Sequence, residues 1–332
     1  MTRPWLAPLE VLYAAAVRRK NARFDRSVPR RLNWPVVSVG NLSMGGSGKT
    51  PLVIRLAQLF GREGWGVDVL SRGYGRRQSR AERVCFSDDP AQDAAQFGDE
   101  PLLIAQEAGV PVFVGASRYE AGQLAEREEP GTRRRLHLLD DAFQHRQLGR
   151  EVDIVVLHRG DLGDRLLPSG RLREPLASLR RANVIVLREE DSDLIPRLRP
   201  YLRSGTPIWL MRRRLLLRGI EGRTLAFCAI ARPAEFFAAI ESAGIELAAR
   251  VNFRDHHRYT LREMQELSRR AARLGCAQFV TTEKDAIKLG SELRNVLAET
   301  APLRVVKLVV ELADEDAAVE QLGTLLAAVT PF

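Results

Sequence analysis

Lysine is scarce in this chain. Of its 51 basic residues only five are lysine, at positions 20, 49, 284, 288 and 307, and the other 46 are arginine. Arginine runs such as 133–135 and 212–214 therefore reflect composition as much as function, and a lysine in a recognisable context carries more information. Cysteine is scarce too: Cys85, Cys228 and Cys276 lie far apart with no C-x-x-C spacing, which excludes a disulfide framework and suits a reducing cytoplasm. Five scattered histidines give no structural zinc pattern. Aromatic residues are 6% of the chain, too few for a base-stacking surface, and no recognition-helix motif is present, so nucleic acid is not an expected partner. A formal charge of +9 nevertheless calls for anionic partners of some kind. No apolar run approaches the roughly 20 residues needed to cross a bilayer.

The nearest thing to such a run is Trp5 to Val17, followed by Arg18, Arg19, Lys20, Arg23 and Arg26. Pro8 and Glu10 interrupt it, so an export signal is not expected. Two readings stay open for residues 1–30: an amphipathic helix lying in a membrane interface beside anionic lipid, or a first helix packed on the body.

The 332 residues exceed the usual size of one domain. From residue 36 the pattern alternates strand, loop and helix. Leu52, Val53, Leu56, Leu59 and Phe60 recur at helical spacing, and strands are expected at 67–70, 111–114, 136–139, 152–157 and 183–187. Such alternation predicts an α/β fold, a parallel sheet with helices on both faces, over residues 31–205. Residues 206–224 read as a two-stranded linker around a Gly-rich turn. A smaller C-terminal α/β domain is expected over 225–332, with strands near 225–230, 278–282 and 304–312 and a helix from 261 to 274.

The stretch VVSVGNLSMGGSGKTP, residues 36–51, combines a strand, a glycine-rich loop and a helix start. A loop that wraps nucleotide phosphates needs glycines where backbone amides approach oxygens, a lysine reaching the β/γ-phosphates and a hydroxyl for Mg²⁺. Gly45, Gly46, Gly48, Lys49 and Thr50 supply these in order, and Pro51 falls in the first turn, where a missing N–H costs little. Ser43 stands where the common P-loop pattern has glycine. The expected phosphate-binding set is Ser43, Met44, Gly45, Gly46, Ser47, Gly48, Lys49 and Thr50. A metal partner is expected at the end of a neighbouring apolar strand, and LHLLDD offers Asp140 and Asp141.

These pieces resemble the tetraacyldisaccharide 4'-kinases, a family of P-loop kinases of Gram-negative bacteria. The resemblance rests on VGNLSMGGSGKTP, SRGYGR at 71–76, GDEP at 98–101, DDAFQHR at 140–146, LPSGRLREP at 167–175, NFRDHHRYT at 252–260 and TTEKDAIKL at 281–289. They run in order across nearly the whole chain. Members carry Ser or Thr where Ser43 stands, so the departure from the common pattern is a family trait. Ala142 and Arg254 depart from the family, which has glycine and, commonly, proline there.

The resemblance implies transfer of the ATP γ-phosphoryl group to the 4'-hydroxyl of tetraacyldisaccharide 1-phosphate, giving lipid IVA, at the cytoplasmic face of the inner membrane. ATP and Mg²⁺ are the implied cofactors. A lipid A disaccharide precursor and the membrane surface are the implied partners, and a monomer is the simplest expectation. Lys49 would contact the phosphates, Thr50, Asp140 and Asp141 the metal, with Gln144 and Glu174 as further metal or nucleotide contacts. Asp99 is the implied base for the acceptor hydroxyl, whereas residue chemistry alone reads it first as a helix N-cap. His256 or His257 would orient it. Adjacent residues in an extended segment point opposite ways, so one of the two is expected to face the site, and His256 is chosen. TTEKD lacks the N-K-x-D spacing of guanine recognition, because Asp285 follows Lys284 directly. Arg72, Arg76, Arg118, Arg171 and Arg173 are candidate phosphate partners. Competing readings are a nucleic-acid-stimulated ATPase and a small-molecule P-loop kinase, the latter leaving the N-terminal helix without a role.

Overall fold

The computed structural model describes residues 6–46, 48–74, 76, 78–131 and 134–328. Trp5, Ser47 of the phosphate loop and Arg133 lie outside the described residues. The chain begins with α1 (Ala7–Asp25), β1 (Val36–Asn41), α2 (Lys49–Arg62), β2 (Gly66–Ser71) and β3 (Glu82–Arg83). There follow α3 (Pro90–Phe97), α4 (Asp99–Ala108), β4 (Val112–Val114), α5 (Arg118–Glu128), β5 (Arg135–Asp140), β6 (Val152–Val156), β7 (Val184–Arg188) and α6 (Ile195–Leu198). The remainder is β8 (Ile208–Leu216), β9 (Thr224–Cys228), α7 (Pro233–Ser242), β10 (Leu247–Asn252), α8 (Leu261–Leu274), β11 (Gln278–Thr282), α9 (Glu283–Ala286), α10 (Ser291–Ala298), β12 (Leu303–Leu312) and α11 (Glu315–Ala327).

Among the described residues the strands form one sheet in the order β10-β9-β11-β12-β8-β7-β6-β1-β5-β2-β4-β3. Pairing is parallel except at β12–β8 and β3–β4. The central strands β1, β6 and β7 are buried along their whole length, as strands covered on both faces must be. The α/β fold with a mostly parallel sheet is therefore the one the alternating pattern predicts.

The linker differs from expectation. Strands do flank the turn near residues 217–223, but they do not pair with each other. β8 lies between β7 and β12, while β9 lies between β10 and β11. The ten-residue β12 joins the two groups, pairing with β11 on one side and antiparallel with β8 on the other. The cores are shared in the same way. Val310, Leu312, Ala318, Leu322 and Leu326 pack in one cluster with Val39, Leu52, Val53 and Leu56, so the end of the expected C-terminal unit completes the core of the first. Arg55 on α2 pairs with Glu315 at the start of α11, and Trp209 Nε1 donates to Gln321 at 2.9 Å. Two further clusters, around Phe227, Phe279 and Met264 and around Ile240, Phe236 and Val280, belong to residues 215–306.

Helix α1 buries one apolar side chain, Val17. Burial on that scale supplies only about 1.5–3 kcal/mol, so polar ties do most of the docking. Arg165 Nε donates to Glu10 at 2.8 Å, Tyr13 Oη to the Arg173 carbonyl at 3.0 Å, Asn21 Nδ2 to Glu174 at 2.9 Å and Arg146 Nη2 to Asp25 at 2.6 Å. The opposite face leaves Leu9, Val11 and Leu12 half-exposed or more. No helix among the described residues is long and apolar enough to cross a membrane.

At the amino ends of the strands, away from the P-loop, β2 and β5 place Asp68 opposite His137, both fully buried. His137 Nδ1 lies 2.7 Å from Asp68, its Nε2 lies 3.5 Å from Glu126, and Trp34 stacks on its ring at 5.0 Å. Burial alone would lower the imidazole's pKa, but Asp68 and Glu126 carry it up to about 9. A raised pKa stabilises the folded state fully below the unfolded value of about 6.5. That stability is lost as pH rises through about 9. Urea midpoints should therefore fall between about pH 6 and pH 10 in the wild type. His137→Leu should flatten that slope and cost on the order of 3–5 kcal/mol, the scale for a buried charge left without its partner. A second outcome concerns Gly40 at the end of β1, where an added Cβ would lie 2.5 Å from Phe143 Cβ and 2.7 Å from its amide nitrogen. Gly40→Ala should lower thermal stability by about 1–3 kcal/mol, since backbone has to yield.

Candidate active site

The parallel register of β1 and β5 sets Val39 beside Asp140. The loop leaving β1 and the turn leaving β5 therefore emerge side by side at the carboxyl ends of the strands, where open α/β sheets bind ligands. The loop from Leu42 to Gly48 is anchored by the 171–173 segment: Met44 N donates to Arg171 O at 2.8 Å and Arg173 N to Leu42 O at 2.7 Å. Ser43 is buried and bridges to Leu172. Gly45 has φ 108° and Gly48 φ 93°, conformations that an L side chain adopts only under strain. Gly48 caps α2 with no side chain over the helix end, so the first amides and the helix dipole point at the loop's interior. Lys49 and Thr50 open the helix and line the cleft. This is the arrangement of a phosphate cradle.

Two carboxylates face it. Asp141, held at φ 49°, accepts both its bonds from Arg173 Nη1 at 3.1 Å and lies 3.5 Å from Lys49 Nζ. Burial opposes its ionisation, but Lys49 and Arg173 hold its pKa below the ordinary carboxylate value. Asp140 is 2% exposed, and its Oδ1 has no hydrogen-bond partner among the described residues. Burial, followed by Glu100 and Asp141, pushes its pKa up to about 7. A buried carboxylate oxygen without a donor is the feature that a hard cation with oxygen ligands would satisfy. Mg²⁺ takes one or two carboxylates, with the rest of its shell from water and phosphate. The donor set of Thr50, Asp140 and Asp141 fits that ion.

Gln144 stands beside this group. It donates from Nε2 to Asn41 O at 2.9 Å, and its Oε1 accepts from Arg173 at 3.3 Å. Glu174 does not join it, contrary to expectation. Its buried carboxylate accepts from Arg181, with an ion pair at 2.9 Å, and from Asn21 of α1, so its charge is spent on the α1 docking surface. Among the candidate arginines, Arg171 approaches Gly45 and Arg173 reaches Asp141. Arg118 is buried, and burial brings its pKa down to about 10 despite Asp140. Arg76 instead fastens its own loop, donating to Arg80 O and Glu82.

Asp99 is the first residue of α4, and Gly98 is the cap. The N-cap reading of Asp99 is therefore not what forms, although its Oδ1 does accept from Glu100 N at 3.0 Å. Its two oxygens lie 3.1 and 3.0 Å from His256 Nδ1. Burial opposes ionisation, yet the His256 hydrogen bond and the charge of Lys284 hold Asp99 down to about 2. His256 itself has φ 60°. His257 points the other way, with Nε2 2.9 Å from Glu263 and its ring stacked on Phe253 at 5.0 Å. The two histidines point apart as expected, but through a turn at His256 rather than alternation along an extended segment, and Thr260 with Glu263 forms the capping box that opens α8.

Lys49, Thr50, Asp141, Tyr74, His256 and Lys284 line one cleft of about 990 Å³. Its far wall carries a cluster that sequence reasoning did not single out, in which Arg188, Arg213 and Arg232 all converge on Glu235. Only the fold gathers them, from β7, β8 and α7. Lys284 also went unassigned, and its rarity as a lysine was the one available signal.

The family model described as tetraacyldisaccharide-1-P 4'-kinase matches residues 2–327. A protein of Koribacter versatilis named tetraacyldisaccharide 4'-kinase is 42% identical over 330 residues, covering 95% of this chain and 97% of that one. A protein of the same name from Anaeromyxobacter dehalogenans is 38% identical and covers 92% of this chain and 86% of its own length. Among solved structures, LpxK from Aquifex aeolicus in complex with ATP is 30% identical, with a TM-score of 0.74 over 97% of this chain and 99% of that one. Matched by the family model over residues 2–327 and by a relative 42% identical over 95% of its length, the chain belongs to the tetraacyldisaccharide 4'-kinase family.

Proposed function

We infer that this protein transfers the γ-phosphoryl group of ATP to the 4'-hydroxyl of tetraacyldisaccharide 1-phosphate, the lipid A disaccharide precursor. The observation that carries the reading is the opening of the P-loop and of His256, which is bonded to the buried Asp99, onto one cleft, in a chain with this family membership. The cradle of Ser43, Met44, Gly45, Gly46 and Gly48 wraps the phosphate tail, and Lys49 neutralises its β/γ end. Thr50, Asp140 and Asp141 would hold Mg²⁺, which would supply charge neutralisation to the transferring phosphoryl group. Gln144 steadies Arg173, which in turn fixes Asp141.

Asp99 is ionised at every physiological pH because its pKa lies near 2. It is a poor base toward a free alcohol. Phosphoryl transfer passes through a loose transition state, and the acceptor becomes acidic only as its bond to phosphorus forms. Asp99 therefore first orients the hydroxyl as an acceptor and takes its proton late, while His256 Nδ1 holds the carboxylate in place.

The outer face of α1 supports peripheral binding to the cytoplasmic leaflet of the inner membrane. Leu9, Val11 and Leu12 are exposed on its first half, and Arg18, Arg19, Lys20 and Arg23 on its second. Apolar insertion plus about 1 kcal/mol per basic residue near anionic lipid suffices for reversible binding. The chain acts as a monomer, with α1 as its N-terminal helix, a P-loop region at 31–205 and a C-terminal α/β region from 225 onward, bridged by β8 and β12.

Incubated with ATP, Mg²⁺ and the disaccharide, the protein should add one phosphate, read by mass spectrometry of the lipid. Lys49→Ala and Asp99→Ala should each reduce turnover by on the order of 10²-fold or more. Normal turnover in Asp99→Ala removes its role as base and leaves the phosphate cradle standing. Leu9→Glu combined with Leu12→Glu should abolish flotation with anionic vesicles. Flotation equal to wild type refutes the membrane role of α1.

A further inference from the structure

The segment TTEKD, residues 281–285, turns from β11 into α9, and nearly all of its polar groups serve the fold. Thr281 Oγ1 donates to Phe227 O at 2.9 Å, and Thr282 caps α9 by accepting from Asp285 N at 3.1 Å. Glu283 accepts from Leu308 N at 3.1 Å. Asp285, fully buried, accepts from Ala229 N at 3.1 Å and Tyr259 Oη at 2.9 Å. Lys284 alone is turned across the cleft to α4. Its Nζ lies 2.9 Å from Glu100, 3.8 Å from Asp255, 4.0 Å from Asp99 and 3.3 Å from His256 Nε2.

An ammonium group has three donors and no acceptor. The His256 nitrogen that faces it must present a lone pair, which leaves the ring proton on Nδ1, against both oxygens of Asp99. We propose that Lys284 is a positioning residue of this kinase, fixing His256 as the neutral Nδ1–H tautomer so that its proton is directed at Asp99. The inference rests on the reading of Asp99 and His256 given above. The charged groups facing the imidazole are Asp99 and Glu100 on α4, Asp255 beside it, Lys284 on α9 and, further off, Lys288, which is paired with Asp285 at 2.8 Å. Tyr74 covers the ring at 5.6 Å. Burial opposes the charge on Lys284, but Glu100, Asp99 and Asp255 raise its pKa, so the cation is retained throughout the working pH range. At His256 the Asp99 hydrogen bond raises the pKa above the ordinary imidazole value against burial and Lys284, so the neutral ring is the state above that raised midpoint.

A structural tie and a tautomer lock separate in one experiment. Imidazole ¹⁵N NMR of the full-length protein at about pH 8.5 should show a protonated Nδ1 and a bare Nε2 at His256 in the wild type. In Lys284→Met that pattern should be lost. The His256 titration midpoint should also rise by about one pH unit or more, the scale of one nearby charge removed. Turnover of Lys284→Met should fall about ten-fold or more, and the same change in a His256→Gln background should cost little further, because the two act as a unit. An unchanged tautomer and midpoint, or additive losses in turnover, overturn the proposal. Lys284→Ala repeats the measurement if the methionine variant does not fold. Full activity in Asp99→Asn would instead refute Asp99 as base, and the NMR readout would still judge Lys284.

Discussion

The pairing of β1 with β5 is the constraint on which the site depends. Parallel register sets Val39 beside Asp140, and the chain leaves both strands at the same edge of the sheet. One strand then supplies the phosphate loop and the other the two aspartates, with Lys49 and Asp141 3.5 Å apart. Lys49 and Asp141 neutralise each other, with Arg173 as a second cation on Asp141. Burial, followed by Glu100 and Asp141, keeps the Asp140 pKa near 7, and no donor among the described residues reaches its Oδ1.

A second charge system closes on the first from across the cleft. Asp99 and Glu100 ride on α4, while Asp255, His256 and Lys284 come from segments that follow β10 and β11. Tyr74 and Lys49 complete the wall. Opposite charges alternate through this group, so Asp99 stays ionised in its buried position and the lysine stays protonated. A similar alternation, of Arg188, Arg213 and Arg232 around Glu235, holds β7 and β8 to α7.

Much of this was legible in the sequence, because local pattern encodes local structure. The strands expected at 136–139 and 278–282 form at 135–140 and 278–282, and the helix expected at 261–274 has those bounds. The P-loop needed only its glycines and lysine, whereas alternation said that one of His256 and His257 would face the site without saying which, and the turn at His256 was not legible. Long-range pairing was not legible. Nothing in residues 206–224 says that β8 and β9 part company, because that depends on β12 nearly 90 residues later. Glu174 looked available for a metal because its partner Arg181 and the α1 contact from Asn21 are set by tertiary packing. Asp99 looked like a cap because helix-start chemistry and a carboxylate poised for work share the same residue, and only the position of Gly98 separates them.

The placement of β12 and α11 bears on how the protein is made. Leu52, Val53 and Leu56 of the phosphate-binding half are sealed by Val310, Leu312, Leu322 and Leu326, which leave the ribosome some 250 residues later. During synthesis the nucleotide-binding face therefore stays open along one flank until those residues emerge, and its closure cannot proceed in step with the growing chain.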